Sequence, residues 1–478
     1  MPLLSHLTTK LNFLNLKWIS EWLTICFRLS ICLCVLLAAV GVSISIFNIV
    51  SKLFNIPLLN VTTSFVAEEE ASRDGGEKDQ AYSRKGKNYT RSNTSHRSLE
   101  HNDKIQEAFT EGNNRLQLPA VSTALVLAAG LGAVEAVALT LGAGYFLNFM
   151  GVPVDSPMRL PAEQYLSLRA LGAPGTVISL AVQGVFRGFK DTKTPLYATG
   201  TGSILNTVLD PIVIFTLGFG VSGAAVTTAI SEYFIAFVLL WNLNKETVLL
   251  PSKMEELRFD RYLKSGGLLL GRTVAILVTM TLGTSMAARQ GAIPMAAHQI
   301  CMQIWLAVSL LTDSLALAGQ AIVATAVAKR DYTKAKEIVF RTLQIGLASG
   351  LASALILFVG FAHLSKLFTN DTAVFEIMTS GVLFVAGTQP LNALAFVFDG
   401  LHYGISDFAY ATYSMIVVGT ISSVWLVVAP STLGLGGVWI GLGLFMGLRM
   451  VAGFVRLGDK SGPWRFLRQD MEETDIGS

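Results

Sequence analysis

Charge is scarce in this sequence. Asp, Glu, Lys and Arg make up 14% of its 478 residues, against about 25% in soluble domains. So few charges exclude a water-facing globular surface of ordinary composition. Cysteine is scarcer. Cys26, Cys32, Cys34 and Cys301 sit in apolar stretches, with neither metal-ligand spacing nor the pattern of a disulfide framework. They read as small buried residues. There is also no phosphate-cradling Walker loop, no HExxH zinc motif and no GxSxG elbow. An enzyme is therefore not expected, nor a bound metal or resident cofactor. The net charge of +3 is small and comes from loops, so no nucleic-acid partner is expected.

What is abundant is apolar sequence: 52% of residues are hydrophobic and the mean hydropathy is +0.53. Many runs exceed the ~20 apolar residues a helix needs to cross a bilayer. The chain reads as an all-α polytopic membrane protein with the lipid bilayer as its surroundings. Residues 1–21 form an N-terminal lead. Residues 22–67 are almost unbroken apolar sequence, interrupted by Arg28 and Lys52. They suit one long helix, or two joined by a tight turn. Residues 68–118 are polar and highly charged, as in a disordered loop. The sequons at Asn88 and Asn93 within it read as unused, given the face on which that loop falls.

Ten apolar segments follow, at 119–150, 161–186, 195–217, 221–243, 264–288, 293–328, 342–364, 372–401, 406–430 and 435–456. Residues 119–243 complete a first bundle, 244–263 connect it to a second at 264–460, and 461–478 form a polar tail. Basic residues concentrate on alternate connections. Lys245, Lys253, Arg258, Arg261 and Lys264 crowd one, and Lys329, Arg330, Lys334, Lys336 and Arg341 another, while Arg289 and Lys366 each stand alone on the connection that follows. This positive-inside pattern places the long loop, the 244–263 connection, the 329–341 connection and the tail on one face.

The two halves echo each other. Val185-Phe186-Arg187-Gly188-Phe189 returns as Val397-Phe398-Asp399-Gly400-Leu401. Tyr197-Ala198-Thr199 returns as Tyr410-Ala411-Thr412, and Leu217-Gly218-Phe219-Gly220 as Leu433-Gly434-Leu435-Gly436. Three matches in order argue for an internal repeat, a common construction of secondary transporters. Chance matching among glycine and apolar residues is the alternative.

A charge at membrane depth costs at least ~2.5–3.5 kcal/mol, so each one needs a reason. Asp210 lies mid-segment, followed by Pro211. The proline lacks an N–H and frees the carbonyl of Thr207. Asn206, one turn earlier, shares Asp210's face. A carboxylate, an amide and loosened backbone make a candidate cation or proton site, with a structural Asp as the alternative. Asp399 occupies the repeat position of Arg187, either in a cavity or at the interface. Asp313 and Gln320, and His298 and Gln303, could line a polar cavity or simply be hydrogen-bonded. Glu135 and Glu232 are also intramembrane; a structural role is the favoured reading for each.

The residues Gly184-Val185-Phe186-Arg187-Gly188, Asp191-Thr192-Lys193-Thr194-Pro195, Asn206 with Leu209-Asp210-Pro211, Gly220-Val221-Ser222-Gly223-Ala224-Ala225 and Leu317-Ala318-Gly319-Gln320-Ala321 resemble the multidrug and toxic compound extrusion (MATE) transporters. The long charged loop resembles the plant DETOXIFICATION branch, nearest the citrate exporters and plastid-located members. The resemblance implies two pseudo-symmetric lobes with about 11–12 transmembrane helices. It implies antiport by alternating access, in which proton or sodium entry drives export of an organic ion, citrate or a xenobiotic. It also implies a monomer in a plastid envelope or plasma membrane. Carried over by motif, the first-lobe cation site would use Asn206, Asp210, Thr228 and Tyr165. Asp399 would be the proton-linked residue of the second lobe.

Two departures stand out. Residues 1–38 match neither the family's acid-bearing first helix nor the Gly-rich turn after it, and the chain joins the pattern near Ala39-Val40-Gly41. The second half keeps that turn, at Ala288-Arg289-Gln290-Gly291-Ala292. A transport-defective truncated form is thus an alternative. In addition, the acid that other plant members carry in the seventh helix is absent, and Arg272 is the charged residue of 264–288 instead. A cavity-facing arginine would favour an anionic substrate such as citrate; a solvated helix-end arginine is the other reading. A flippase for lipid-linked substrates would need more basic residues in the helices than Arg272.

Overall fold

The computed structural model describes residues 39–73, 116–150, 152–249, 257–366, 371–459 and 462–467. Helix α1 spans Ala39–Arg73. Then come α2 (Pro119–Phe149), α3 (Arg159–Ala170), α4 (Ala173–Gly188), α5 (Lys193–Pro211) and α6 (Gly220–Glu246). The second half holds α7 (Phe259–Ala288), α8 (Ala292–Ala328), α9 (Tyr332–Ser365), α10 (Thr372–Ser380), α11 (Val382–Gly387), α12 (Gln389–Gly404), α13 (Phe408–Val428) and α14 (Pro430–Asp459). A short 3-10 helix closes it at Gly462–Leu467.

Among the described residues nine helices are long and apolar enough to cross a membrane, and up to eleven spans result if α3–α4, bent by 45°, and α10–α12, bent by 42°, each count as one. The ten expected apolar segments all appear as helix. Ambiguity over residues 22–67 is half resolved: 39–73 are one helix of 35 residues, while 22–38, with Cys26, Cys32 and Cys34, lie outside the described residues. Most of the long loop does too. Its first residues, however, are helical. Glu69 accepts from the N–H of Ala120 at 2.9 Å, and Glu68 pairs with Arg261, so α1 runs beyond its expected end at 67.

By contact density the chain divides into two units, and the boundary crosses helices rather than falling at 244–263. One unit takes in the chain to Lys52, Ala129–Ser179 and Ala198–Phe237; the other takes in Leu53–Ala128, Leu180–Tyr197 and the chain from Val238.

The core of the first unit joins Phe47, Leu139, Leu147, Leu166 and Ala173. Within the second, α12 packs against α8, α9 and α14, and α13 against α7 and α14. Glycine makes the α12–α8 approach possible: a Cβ at Gly400 would lie 2.2 Å from the carbonyl oxygen of Ala316, and one at Gly404 2.7 Å from that of Gln320. Lipid is as apolar as a protein core, so such packing and interhelical hydrogen bonds hold membrane helices together.

Three turns in the second unit share one design. Lys190, Arg330 and Ser406 have φ of 64°, 58° and 59°. In each, the next residue is an aspartate whose N–H bonds back into the helix: Asp191 to Phe186, Asp331 to Ala326, Asp407 to His402. These are Schellman ends with a non-glycine in the left-handed position. The repeat reappears in backbone form as well: Gly218 and its echo Gly434 both have positive φ, 73° and 56°.

Candidate functional site

Pro211 ends α5, and the chain continues as a π-turn, Ile212–Thr216. A proline cannot donate to the preceding turn, and a wide turn is one way a helix adapts. Asp210 sits at this junction. Asn206 Nδ2 donates to its carboxylate at 3.3 Å, and Thr227 Oγ1 of α6 donates as well. The resemblance pointed to Thr228, but one residue is a 100° turn of the helix. Thr228 Oγ1 donates to its own helix, to Ala224 O at 2.7 Å. Tyr165 is buried on α3 within electrostatic reach of Asp210.

One turn after Tyr165, on the same face, lies Arg169. Its Nη2 is 3.4 Å from Glu232 Oε1 of α6, and its guanidinium lies over the Phe47 ring at 4.1 Å. Glu135 of α2 is 4% exposed, accepts from Ser51 of α1 and is within electrostatic reach of Arg169. The first unit thus holds three acids of its helices, Asp210, Glu135 and Glu232, and sets one base, Arg169, within reach of the last two.

The second unit holds the opposite balance. Asp399 of α12 pairs with Arg272 of α7 at 2.5 Å and with Arg449 of α14. Both arginines are buried. Arg272 also lies 5.3 Å from the Tyr403 ring, so it is neither a free cavity charge nor a solvated helix end. Asp313 of α8 is within electrostatic reach of Asp399, Arg449 and Arg187. Three bases here, Arg187, Arg272 and Arg449, face two acids. A cavity of about 10 Å³ beside Asp399, lined by His402, Ser414 and Arg449, has room for about one water.

The other expected residues are dispersed. Gln320 is buried and donates to Asn60 O at 2.9 Å and Ser64 Oγ at 2.8 Å, tying α8 to α1. The ring nitrogens of buried His298 have no hydrogen-bond partner among the described residues. Gln303 is exposed. Among the described residues no group of three His, Cys, Asp or Glu is placed to hold a metal ion.

Sequence reasoning did not single out Arg169, Arg449, Thr227 or Ser51, and it ended the apolar segment at 186, leaving Arg187 just outside it. A flippase-type need for basic residues beyond Arg272 looked unmet for that reason. The signal was present for Arg169 and Arg449, each a lone arginine in an apolar run.

The MatE family model matches residues 108–212 and 272–429. The chain is similar to Protein DETOXIFICATION 44, chloroplastic, of Arabidopsis thaliana, at 56% identity over 431 residues, covering 90% of this chain and 77% of the relative. It is 53% identical to Protein DETOXIFICATION 45, chloroplastic, of the same plant, over 90% of this chain and 73% of that protein. Its fold is similar to a crystal structure of MATE in the bent conformation, with a TM-score of 0.73 at 21% identity, over 92% of this chain and 89% of the other.

Proposed function

Because the chain belongs to the MATE family of membrane transporters, we propose that it is a secondary active antiporter exporting an organic anion in exchange for protons or sodium by alternating access. The observation that carries this reading is the opposite charge balance of the two clusters. Asp210 is served by two neutral donors, Asn206 and Thr227, with Tyr165 within electrostatic reach. A proton or monovalent cation can join it without breaking an ion pair, so Asp210 is the coupling residue and Asp399 the second candidate. Arg272, Arg449 and Arg187 form the anion-selective element. A substrate carboxylate competes with Asp399 for the two guanidiniums, whose fork geometry suits carboxylates. Citrate or a related organic acid fits that chemistry, and a xenobiotic anion is the broader class. A coupling ion shifts the balance of transport states only through its different affinity for each; Asp210 supplies that difference. The transporter acts as a monomer, and the names of its relatives support a plastid envelope as its membrane.

The test is flux. The purified chain is reconstituted in liposomes, a pH or sodium gradient is imposed, and labelled citrate is followed beside a fluorescent organic cation. Gradient-dependent citrate flux lost in Asp210→Asn is the expected result. Preference for the cation, or flux unaffected by Asp210→Asn, overturns the assignment.

A further inference from the structure

The Asp210 and Asp399 sites leave Glu135 without a task. Glu135 is buried in mid-helix on α2. One of its oxygens, Oε1, accepts from Ser51. The other, Oε2, is buried and has no hydrogen-bond partner among the described residues. The base that could balance it, Arg169, is committed elsewhere: its Nη2 pairs with Glu232 and its plane covers Phe47. Arg169 Nη1 is buried and unpartnered as well. The charged group that bears on Glu135 among the described residues is Arg169 of α3, which in turn faces Tyr165 on α3 and Glu232 on α6; α1 contributes the neutral hydroxyl of Ser51. Two carboxylates therefore share one guanidinium, and the triad is one positive charge short.

We propose that Glu135 is a second proton-binding site, coupled to Arg169 and Glu232 and separate from Asp210. In the arrangement seen, the proton rides on Glu135 while Arg169 serves Glu232. When the proton leaves Glu135, the free Nη1 of Arg169 gives the new carboxylate a partner. The guanidinium is then shared between α2 and α6, with Phe47 of α1 beneath it. No bond other than the O–H forms or breaks, and the proton exchanges with water. Tyr165 lies one turn from Arg169 and within reach of Asp210, so the same face of α3 touches both sites. The link to transport rests on the antiport reading; proton binding does not.

Infrared difference spectroscopy of the full chain in nanodiscs, between neutral and alkaline pH, reads the proton directly and needs no flux. Wild type is expected to show a protonated-carboxyl band at neutral pH, and Glu135→Gln to remove it. Asp210→Asn should leave that band in place. Glu232→Gln should abolish most of it at neutral pH, because Arg169 is then free to pair with Glu135. That response would not follow from a merely structural glutamate. Ser51→Ala, the milder variant, should retain the band with an altered frequency. No band in wild type, a band that survives Glu135→Gln, indifference to Glu232→Gln, or displacement of the band by sodium at constant pH would each overturn the proposal. Absent flux with these bands present would count against the antiport reading alone.

Discussion

Asp210 and Asp399 are both membrane-embedded carboxylates, and their surroundings differ in kind. Asp210 receives an amide and a hydroxyl. Asp399 receives two guanidiniums. Neutral donors hold a carboxylate in place without fixing its charge. Guanidiniums demand that charge, because a buried arginine without a partner is expensive. One carboxylate is held by neutral groups alone, and the other sits between two buried positive charges.

The sharpest way to break this comparison is Asp399→Asn. It leaves Arg272 and Arg449 buried without their counter-charge, a loss of about 3–5 kcal/mol. Thermal unfolding in detergent should show it plainly. Asp210→Asn removes only the charge of a group held by neutral donors and should cost about 1 kcal/mol. Equal losses from the two would mean that the arginines do not depend on Asp399.

Within the Asp210 site, Thr227→Val removes its interhelical donor and should cost about 1 kcal/mol. Thr228→Val removes a bond within its own helix and should cost less. The reverse order would restore Thr228 to the site.

A smaller contrast lies in the turns. Asp191 caps α5, accepting from the N–H of Lys193 at 2.8 Å and of Thr194 at 3.2 Å. Asp191→Ala should cost about 1 kcal/mol. Slight burial works to raise the Asp191 carboxyl, but bonds from the Thr194 hydroxyl and the two N–H groups, with the Lys193 charge, outweigh it and hold it below the usual range. A carboxyl lowered in the fold adds stability that is present above its unfolded value and lost as pH falls through its folded value. The gap between wild type and variant should be full at neutral pH and close in acid.

The smallest effect is a gain. Left-handed backbone at Ser406 costs a non-glycine roughly 1–2 kcal/mol, while glycine's extra freedom in the unfolded chain costs about 0.5–1 kcal/mol. Ser406→Gly should therefore stabilise by about 0.5–1 kcal/mol, as a higher unfolding temperature.

The existence of the helices was legible, because an apolar run bounded by charge has few ways to fold in a bilayer, but their ends and breaks were less so: the segment expected at 342–364 begins at Tyr332, and those at 161–186 and 372–401 are bent. Asp210 and Asn206 were legible because their relation is local, one helical turn. Partners of Asp399 were not: Arg449 is 50 residues away, and nothing in an apolar helix announces which face meets another. Arginines were also read as markers of loop orientation, a use that hides the ones buried in spans. The choice of Thr227 over Thr228 turns on helix rotation, which sequence alone does not fix.

The repeat carries a further consequence. Arg187 and Asp399 occupy the same place in Val-Phe-x-Gly, and both bear on Asp313. In an assembly of two identical chains, that place would hold the same residue twice, and two like charges would meet wherever the copies converged. Joining both copies in one polypeptide lets each mutate alone. A position that symmetry would have filled twice with one charge carries, here, two opposite ones.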